Sequence, residues 1–269
     1  LIFRAFRLRL IILTGGIDLS VGSILGLSGV LASGVLASTG NTAAAVAVSL
    51  IVGVACGAVN GFFVSVCGIP PFISTLGMMT LLRGVILVYT KGSPIPIKVD
   101  SYKFFGKGSI AGIPVPVIIL IVVFLLAHYI LTQTTYGRSV YAVGGNREAA
   151  RLSGIRVKTS EFLVYTLNGL MCGMAGLILT ARLGSAQSTS GTGIEMDAIA
   201  AVILGGTSLS GGVGFVLPTV VGAMIMGIID NILTLMNVNP HATNIVKGAV
   251  ILIAVLVDKK VKDLSAKAE

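Results

Sequence analysis

Charged residues that interrupt apolar segments are the first candidates for chemistry in this sequence. Asp18 stands in TGGIDLSVG (14–22), Asp197 in GIEMDAIAA (193–201), and Arg83 in TLLRGVIL (80–87). An ionisable side chain inside a membrane segment is costly, so it is a functional candidate that needs a partner. Asp230, in another apolar run, is the acid available to Arg83. These residues predict ion pairing or contact with a polar solute.

Composition places those residues in a membrane protein. Of 269 residues, 55% are hydrophobic and 11% are charged, and the mean hydropathy is +1.00. A soluble domain carries roughly 25% charged residues. We therefore predict an all-α, polytopic membrane protein, with one transmembrane domain over 1–269. Its first half is 1–133, its connecting segment is 134–158, and its second half and tail are 159–269.

About eight membrane segments are predicted, including short or broken ones. A spanning helix needs about 20 predominantly apolar residues. Full-length spans are predicted at 43–67, 72–90, 114–133, 159–183 and 215–236. Shorter or weaker segments are predicted at 1–13, 20–38, 196–206 and 243–258.

The basic residues predict the orientation of the chain. The net charge is +9, and lysine and arginine concentrate in 134–158 and in the tail after Val257. Such loops face the cytoplasm, a stronger explanation here than nucleic-acid binding. An even number of crossings must separate the two segments, so the weak segment 196–206 must supply one. The four lysines of 91–113, a loop that this topology places outside, conflict with the rule.

Glycine spacing predicts close helix packing and an internal repeat. Gly53-x-x-x-Gly57-x-x-x-Gly61 and Gly169-x-x-x-Gly173 have the spacing that lets helix backbones approach. We expect this packing within one subunit rather than at a dimer seam. In addition, GGIDLSVG (15–22) aligns with GGTSLSGG (205–212), and paired glycine-interrupted segments are expected of transporters built from repeats.

Local sequence gives each polar candidate two interpretations. Asp18 and Ser20 precede a predicted span. Because the helix dipole and the free N–H groups at a helix start favour a carboxylate there, we expect Asp18 to cap the helix rather than to act directly in the pathway. Asp197 stands likewise at the start of a half-helix. Three asparagines have side chains that can join helices by hydrogen bonds or line a pathway for a polar solute: Asn60, Asn168 and Asn231. The candidates for the pathway are Asp18, Ser20, Asn60, Arg83, Asp197 and Asn231.

The segment YAVGGNREAARLSGIRV (141–157) predicts a short exposed helix. Gly144-Gly145-Asn146 is a turn signal, and Asn146 is a good N-cap for a helix over 147–152. Ser153-Gly154 supplies the stop. The product is a basic amphipathic helix suited to a groove on a soluble partner, or a surface helix without one.

No phosphate-binding G-x-x-x-x-G-K-[ST] sequence occurs. Uphill transport would therefore draw energy from an ion gradient or from a partner. Few ionisable residues lie within the spans, which argues for a partner.

Several long motifs resemble one family. ILTGGIDLSVGS (12–23), LLRGVILVYTKGSP (81–94), AQSTSGTGIEMDAIAAVILGGTSLSGGVG (186–214) and IVKGAVILIAVLVD (245–258) resemble the permease subunit of ribose-type monosaccharide ABC importers, a group that shares its superfamily with branched-chain amino acid permeases. Within 141–157, the EAA-x-x-x-G pattern resembles the coupling loop of ABC importer permeases. Its coupling candidates are Gly144, Gly145, Asn146, Glu148, Ala149, Ala150, Arg151 and Gly154.

The resemblance implies a non-enzymatic subunit in the bacterial cytoplasmic (inner) membrane. It implies two cytoplasmic ATPase subunits that bind the ATP and Mg²⁺, a periplasmic or lipid-anchored sugar-binding protein, and a second permease copy in a homodimer or pseudo-dimer. The chain itself is expected to carry no cofactor or metal. The alternatives are a branched-chain amino acid permease and an ion-coupled secondary carrier.

The first residues depart from the family pattern. Arg4, Arg7 and Arg9 occupy what the resemblance implies is an apolar helix. Each charge at the centre of a span costs about 2.5–3.5 kcal/mol on insertion scales. We therefore expect an N-terminal fragment or a frameshifted start.

Overall fold

A computed structural model describes residues 11–207, 211–212 and 216–265. The chain is almost entirely helical. The helices are α1 (Val21–Thr39), α2 (Thr42–Ser65), α3 (Pro71–Thr90), α4 (Asp100–Lys107), α5 (Val115–Gln133), α6 (Thr135–Gly145), α7 (Arg147–Leu152), α8 (Val157–Leu183), α9 (Ile194–Leu204), α10 (Val216–Leu235) and α11 (Pro240–Ser265). Four two-residue strands, β1 (Ile95–Pro96), β2 (Ser109–Ile110), β3 (Ile113–Pro114) and β4 (Ser185–Ala186), form the antiparallel pairs β1–β4 and β2–β3.

The predicted polytopic helical architecture is confirmed. Within the described residues, six helices are long and apolar enough to cross a membrane: α1, α2, α3, α5, α8 and the part of α10 from Pro218 to Leu235. A shorter apolar stretch, Ala242–Leu256, lies within α11. The predicted spans agree with these helices to within a few residues at most ends. Of the predicted partial segment 1–13, only residues 11–13 lie within the described part, and they are helical.

Two regions predicted as connections contain further helices. Helix α6 occupies 135–145 because Val140 and Val143 lie one turn apart and are buried. The glycines of the predicted turn at 144–145 therefore lie inside a helix, which ends at Asn146. In the loop 91–113, α4 buries Tyr102 against α8, and its hydroxyl lies 3.0 Å from Thr180 Oγ1.

Helix α1 is the central element of the fold. In its apolar window 72% of residues are buried, against 22% for α2, α3, α5 and α10. The low fraction on the outer helices leaves large apolar side chains exposed, including Val88 on α3 and Leu125 on α5. Those faces suit contact with lipid or another membrane protein, whereas α1 is enclosed by α2, α3 and α8.

The glycine seam, defined as Gly53, Gly57, Gly61, Gly169 and Gly173, joins α2 to α8 inside one chain. A Cβ atom built on Gly57 would lie 2.9 Å from the Gly169 Cα, and one on Gly53 would lie 2.9 Å from the Gly173 Cα. Ser49 Oγ also donates to the Gly173 carbonyl at 2.9 Å. The prediction of packing within one subunit is confirmed for both glycine motifs.

Helix α9 is a half-length, re-entrant element. The chain leaves α8 beside the β1–β4 pair, then turns back until Ser190 lies level with Arg83 in the interior of α3. Helix α9 begins there at Ile194 and ends near the first turn of α10, where a Cβ atom on Gly205 would lie 2.6 Å from the Thr219 Cα. Its eleven residues span about 16 Å, roughly half of the hydrocarbon thickness.

The two repeat motifs meet at the end of the molecule that carries α7. The Gly212 N–H donates to the Leu13 carbonyl at 2.9 Å. A Cβ atom on Gly211 would lie 2.8 Å from both the Gly15 nitrogen and the Gly144 oxygen. The segments that precede α1 and α10 therefore contact each other and the end of α6. Residues 208–210 of the second motif lie outside the described residues.

Candidate functional site

The first polar cluster surrounds Asp18, where α1, α2 and α8 meet. Asp18 Oδ1 accepts the Ser20 N–H at 2.8 Å and the Ser20 hydroxyl at 2.6 Å. Asp18 Oδ2 accepts from Asn168 Nδ2 at 2.7 Å, and Asn60 Nδ2 donates to Ser20 Oγ at 2.8 Å. We call Asp18, Ser20, Asn60 and Asn168 the amide–carboxylate cluster. Each of these residues is no more than 1% exposed.

This geometry assigns Asp18 a positioning role in the conformation observed. Ser20 is the N-cap residue of α1, and its N–H is one of the groups that a helix start leaves without an intrahelical partner. Hydrogen bonds to a carboxylate are stronger than those between neutral groups. The cluster therefore fixes the start of α1 to α2 and α8. Lining of a pathway by Asp18, Ser20 and Asn60 stays a prediction, because all three face buried partners here.

The second polar cluster surrounds Arg83. Its Nη1 donates to the Ser190 carbonyl at 2.7 Å. Glu195, in the first turn of α9, interacts with the Arg83 guanidinium through its charge. The expected pairing of Arg83 with Asp230 is wrong, because Asp230 faces Lys247 instead. A re-entrant main chain exposes carbonyl groups that a helix would hide, and Arg83 uses one of them.

The third cluster is a charge triad of Asp197, Asp230 and Lys247, on α9, α10 and α11. Lys247 Nζ lies 2.8 Å from Asp197 Oδ1 and 2.9 Å from Asp230 Oδ1. The side chains of the three residues are 10–28% exposed. One ammonium serves two carboxylates and ties the half-helix to both helices that follow it.

The α9–α11 region corrects one detail of the sequence-based description and leaves another untested. Helix α9 begins at Ile194, after Gly193, so Asp197 lies within the first turn instead of preceding the helix. Asn231 is exposed beside Asp230, and the described contacts do not bring it to the other pathway candidates. Its place in a pathway stays a prediction.

The predicted coupling helix is present as α7, with the predicted bounds. Asn146 Oδ1 accepts the Glu148 and Ala149 N–H groups at 3.1 and 2.9 Å. The helix ends at Ser153, and Gly154 follows with a φ of 83°. Five residues after Asn146, Arg151 Nε donates to Glu148 at 3.0–3.1 Å. These bonds define the helix locally, without help from distant segments.

Two ion pairs set the electrostatics of α7. The guanidinium of Arg151 lowers the pKa of the exposed Glu148 carboxyl by hydrogen bonding. Arg147 binds Glu161 of α8 in a two-pronged contact, Nε to Oε1 at 2.7 Å and Nη2 to Oε2 at 3.1 Å, which raises the pKa of Arg147. Ala150 is buried, whereas Glu148, Ala149 and Arg151 are exposed. The helix therefore presents one polar face and is anchored to α8.

The glycines before α7 lie against the repeat motifs. A Cβ atom on Gly145 would have open space, but one on Gly144 would collide with the Leu13 carbonyl and lie 2.6 Å from the Gly212 nitrogen. The end of α6 is therefore in backbone contact with both segments. Together with the Arg147–Glu161 pair, this contact joins the region of the coupling candidates to the membrane helices.

Three contributors to these clusters were not selected from the sequence: Lys247, Glu161 and Ser190. Lys247 lies within IVKGAVIL (245–252) and Glu161 lies within the predicted span 159–183, so the rule that an intramembrane charge needs a partner applied to both. Ser190 carried no comparable signal, because it is one of several hydroxyl residues in a non-helical stretch.

The fold and these clusters define a multi-pass membrane transport subunit. Long apolar helices, a re-entrant half-helix and a capped, exposed basic helix at one end occur together. A family model described as the permease component of the branched-chain amino acid transport system matches residues 2–255. The chain belongs to this family of ABC importer permeases, which are multi-pass proteins of the inner membrane.

Individual relatives narrow the resemblance to sugar permeases. The ribose import permease protein RbsC of Escherichia coli (strain K12) is 50% identical over 260 residues, covering 95% of this chain and 81% of that protein. RbsC of Bacillus subtilis (strain 168) is 47% identical, covering 95% and 80%. The D-allose transport system permease protein AlsC of Escherichia coli (strain K12) is 42% identical, covering 92% and 76%. No solved structure matches the chain. The expected resemblance to ribose-type permeases is confirmed.

Proposed function

We propose that this chain is the transmembrane subunit of an ATP-driven importer for a monosaccharide, a ribose-like pentose or a related hexose. The observation that carries the proposal is the similarity to ribose and allose permeases over more than nine-tenths of the chain. The described polar clusters contain amides and hydroxyls beside a few paired charges, which suits a neutral polar solute.

The partners follow from the proposed class. An ATPase pair on the cytoplasmic side supplies the energy, an external sugar-binding protein delivers the solute, and a second copy of the chain completes the pathway as a homodimer. ATP and Mg²⁺ are bound by the ATPase partner. Exposed apolar faces on the outer helices are compatible with such a second copy.

Helix α7 is the element proposed to dock on the ATPase. Its exposed face carries Glu148, Ala149 and Arg151, and its inner side is held by the Arg147–Glu161 pair. Closure of the ATPase pair would move α7 and α6 as one piece. Because Gly144 lies against Leu13 and Gly212, that motion would reach both repeat motifs and alternate the two openings of the pathway.

The proposed docking is tested with a matched pair of variants. Glu148→Ala removes the acid of an exposed i,i+3 ion pair on α7, and Asp100→Ala removes the acid of an equivalent pair, Asp100–Lys103, on α4 at the other end of the molecule. The measurement is D-ribose uptake per ATP hydrolysed in proteoliposomes containing the ATPase and binding protein. We expect Glu148→Ala to lower this ratio, and Asp100→Ala to leave it unchanged.

Replacement of Gly154 by alanine provides a second test of the same helix. Its left-handed φ of 83° disfavours any side chain, so the substitution distorts the end of α7 without removing a charge. We expect uncoupling of hydrolysis from uptake, with normal membrane insertion. Full transport by both the Glu148 and Gly154 variants would refute the docking role.

One other solute is kept because a specific observation favours it. The description of the family model favours branched-chain amino acids as the solute, and leucine uptake that exceeds ribose uptake would establish it. The alternative of an ion-coupled carrier loses its support, because the chain belongs to a family of ABC importer permeases.

A further inference from the structure

The re-entrant segment 187–193, QSTSGTG, is a polar stretch beside the membrane helices α1 and α3. It joins β4 to α9, and five of its seven residues carry a hydroxyl or an amide. Non-helical backbone at membrane depth is tolerated where it is buried in protein or lines a water-filled cavity. The segment is therefore either packed against other parts of the protein or lines a water-filled cavity.

Its buried polar groups are incompletely satisfied. Ser190 is 7% exposed, and its hydroxyl has no hydrogen-bond partner among the described residues. The same holds for Oε2 of Glu195, whose other oxygen accepts the Gly193 N–H at 3.2 Å. A buried polar group without a partner costs about 1–3 kcal/mol, so two of them on one short stretch of chain call for an explanation. Packing alone does not provide one.

Arg83 supplies donors to the same place. One guanidinium nitrogen donates to the Ser190 carbonyl at 2.7 Å. A guanidinium has five N–H donors in a fixed fork, so one bond leaves most of its capacity unused. A carboxylate that accepts, a guanidinium that donates and a hydroxyl that does both match the hydroxyl groups of a sugar. The opposite charges of Arg83 and Glu195 suit a neutral ligand.

We infer that Ser190, Glu195 and Arg83 form a contact site for a neutral, polyhydroxylated solute within the transport pathway. This inference rests on the proposed function and names a place in the molecule where its substrate binds. The N-terminus of α9 lies at this site, and interrupted helices at mid-membrane are a common location for substrates in transporters.

The site is closed in this structure. A Cβ atom on Gly26 would lie 2.7 Å from the Ser190 carbonyl oxygen, so α1 stands directly against the segment. Gly191 and Gly193 have φ values of 81° and 77°, which glycine adopts without strain. Separation of 187–193 from α1 at these two glycines opens the site to the solute.

Cysteine labelling tests this opening. The parent is a variant with Cys56, Cys67 and Cys172 replaced by alanine and with uptake retained. Ser190→Cys is compared with Ser28→Cys, because Ser28 on α1 is also buried with an unpartnered hydroxyl but lies outside the proposed site. Both are assembled with the ATPase and binding protein in nanodiscs and treated with a charged methanethiosulfonate reagent. We expect Ser190→Cys to react during ATP turnover, and D-ribose to slow the reaction at least about threefold. Ser28→Cys is expected to stay unreactive.

Substitution by alanine gives an independent measurement. Ser190→Ala removes a hydroxyl with no partner in the described structure, so folding should be retained. Loss of one hydrogen bond to the solute predicts an approximately three- to tenfold slower ribose uptake, and loss of an unsatisfied hydroxyl predicts a Tm no lower than that of the parent. Ser28→Ala should transport at the parental rate.

The outcomes separate this inference from the proposed function. Absence of ATP-driven ribose uptake by the unmodified protein would refute the function. Normal uptake by the parent, combined with an unreactive Ser190→Cys or with labelling that ribose does not slow, would overturn the contact site alone. Parental uptake by Ser190→Ala would overturn it as well.

Discussion

Two regions of this permease, the core formed by α1, α2 and α8 and the group formed by α9, α10 and α11, hold their buried charges in different ways. In the core, the Asp18 carboxylate receives hydrogen bonds from the neutral groups of Ser20 and Asn168. In the α9–α11 group, Asp197 and Asp230 share the ammonium group of Lys247. A carboxylate held by several short, directed bonds has one position. Two carboxylates that share one cation allow two pairings, since the cation can keep one of them as a partner when the helices shift.

Close backbone packing occurs in both regions, but α11 departs from it. The glycine seam brings the backbones of α2 and α8 into contact, and a Cβ atom on Gly222 of α10 would lie 2.7 Å from the Gly205 nitrogen at the end of α9. Gly248, on α11 beside Lys247, has open space where a Cβ atom would lie. We interpret the core as a rigid frame and α11, which carries the shared cation, as the element that rearranges.

The largest effect is expected from filling the glycine seam. A Cβ atom on Gly169 would already lie 2.8 Å from the Gly57 Cα, so Gly169→Leu forces α2 and α8 apart. We expect loss of monodisperse protein in size-exclusion chromatography after extraction. Gly248→Leu is the matched control on α11 and should give a normal profile. Equal behaviour of the two variants would contradict the distinction between a rigid core and a mobile α11.

The next largest effect is expected from removing the shared cation. Lys247→Met leaves two carboxylates facing each other inside the protein. Breaking a buried pair costs roughly 3–5 kcal/mol, and the partial exposure of this triad places it at or below the lower end. The Tm of the purified protein should fall clearly.

A neutral triad serves as the control for that variant. Asp197→Asn, Asp230→Asn and Lys247→Met combined remove every charge, so most of the lost Tm should return. Transport should stay impaired if exchange between the two pairings contributes to the cycle. A triple variant as unstable as Lys247→Met alone would show that shape, and not charge, is what the triad provides.

A smaller effect is expected at the amide–carboxylate cluster. Asp18→Asn keeps the shape but presents an NH₂ group to donors, which leaves one buried group unsatisfied at a cost of about 1–3 kcal/mol. Thermal unfolding should show a modest decrease in Tm, whereas Asp100→Asn on the exposed surface should show none. An unchanged Tm for Asp18→Asn would mean that the cluster does not fix the start of α1.

The smallest effect is expected at α7, which lies outside both of the regions compared above. Arg151 lowers the pKa of Glu148, so the ion pair exists above the ordinary pKa of Glu148 and is lost as the pH falls through the lowered value. Both side chains are exposed, and such pairs contribute little to stability. We expect Arg151→Ala to leave Tm unchanged at neutral and at acid pH. A pH-dependent difference in Tm from the parent would assign this pair a structural role.

Local signals in the sequence predicted the elements that local physics forms. The Asn146 cap and the Gly154 stop defined α7 to the residue, because capping needs only neighbouring groups. Hydropathy located the spanning helices, because lipid demands an apolar length of chain whatever its neighbours are. The half-helix α9 was found, although it begins at Ile194, before the predicted segment 196–206.

Side-chain partners were predicted less well. Arg83 was matched with Asp230, yet it binds the carbonyl of Ser190, 107 residues away in the chain. Hydropathy reports that a charge is buried but contains no information on which helix lies beside it. Lys247 differs in that its apolar run does indicate a buried charge, but not that two acids share it.

The sequence by itself determined the class of protein, the number and approximate bounds of its membrane segments, and the coupling helix. Composition, apolar length and capping act over one to twenty residues, and these properties depend on nothing else. Only the tertiary structure decided that the two glycine motifs pack on each other, that Lys247 is shared by two acids, and that Ser190 and Glu195 lie beside Arg83. Those contacts depend on how helices distant in sequence are placed together, which is set by the packing of the whole chain.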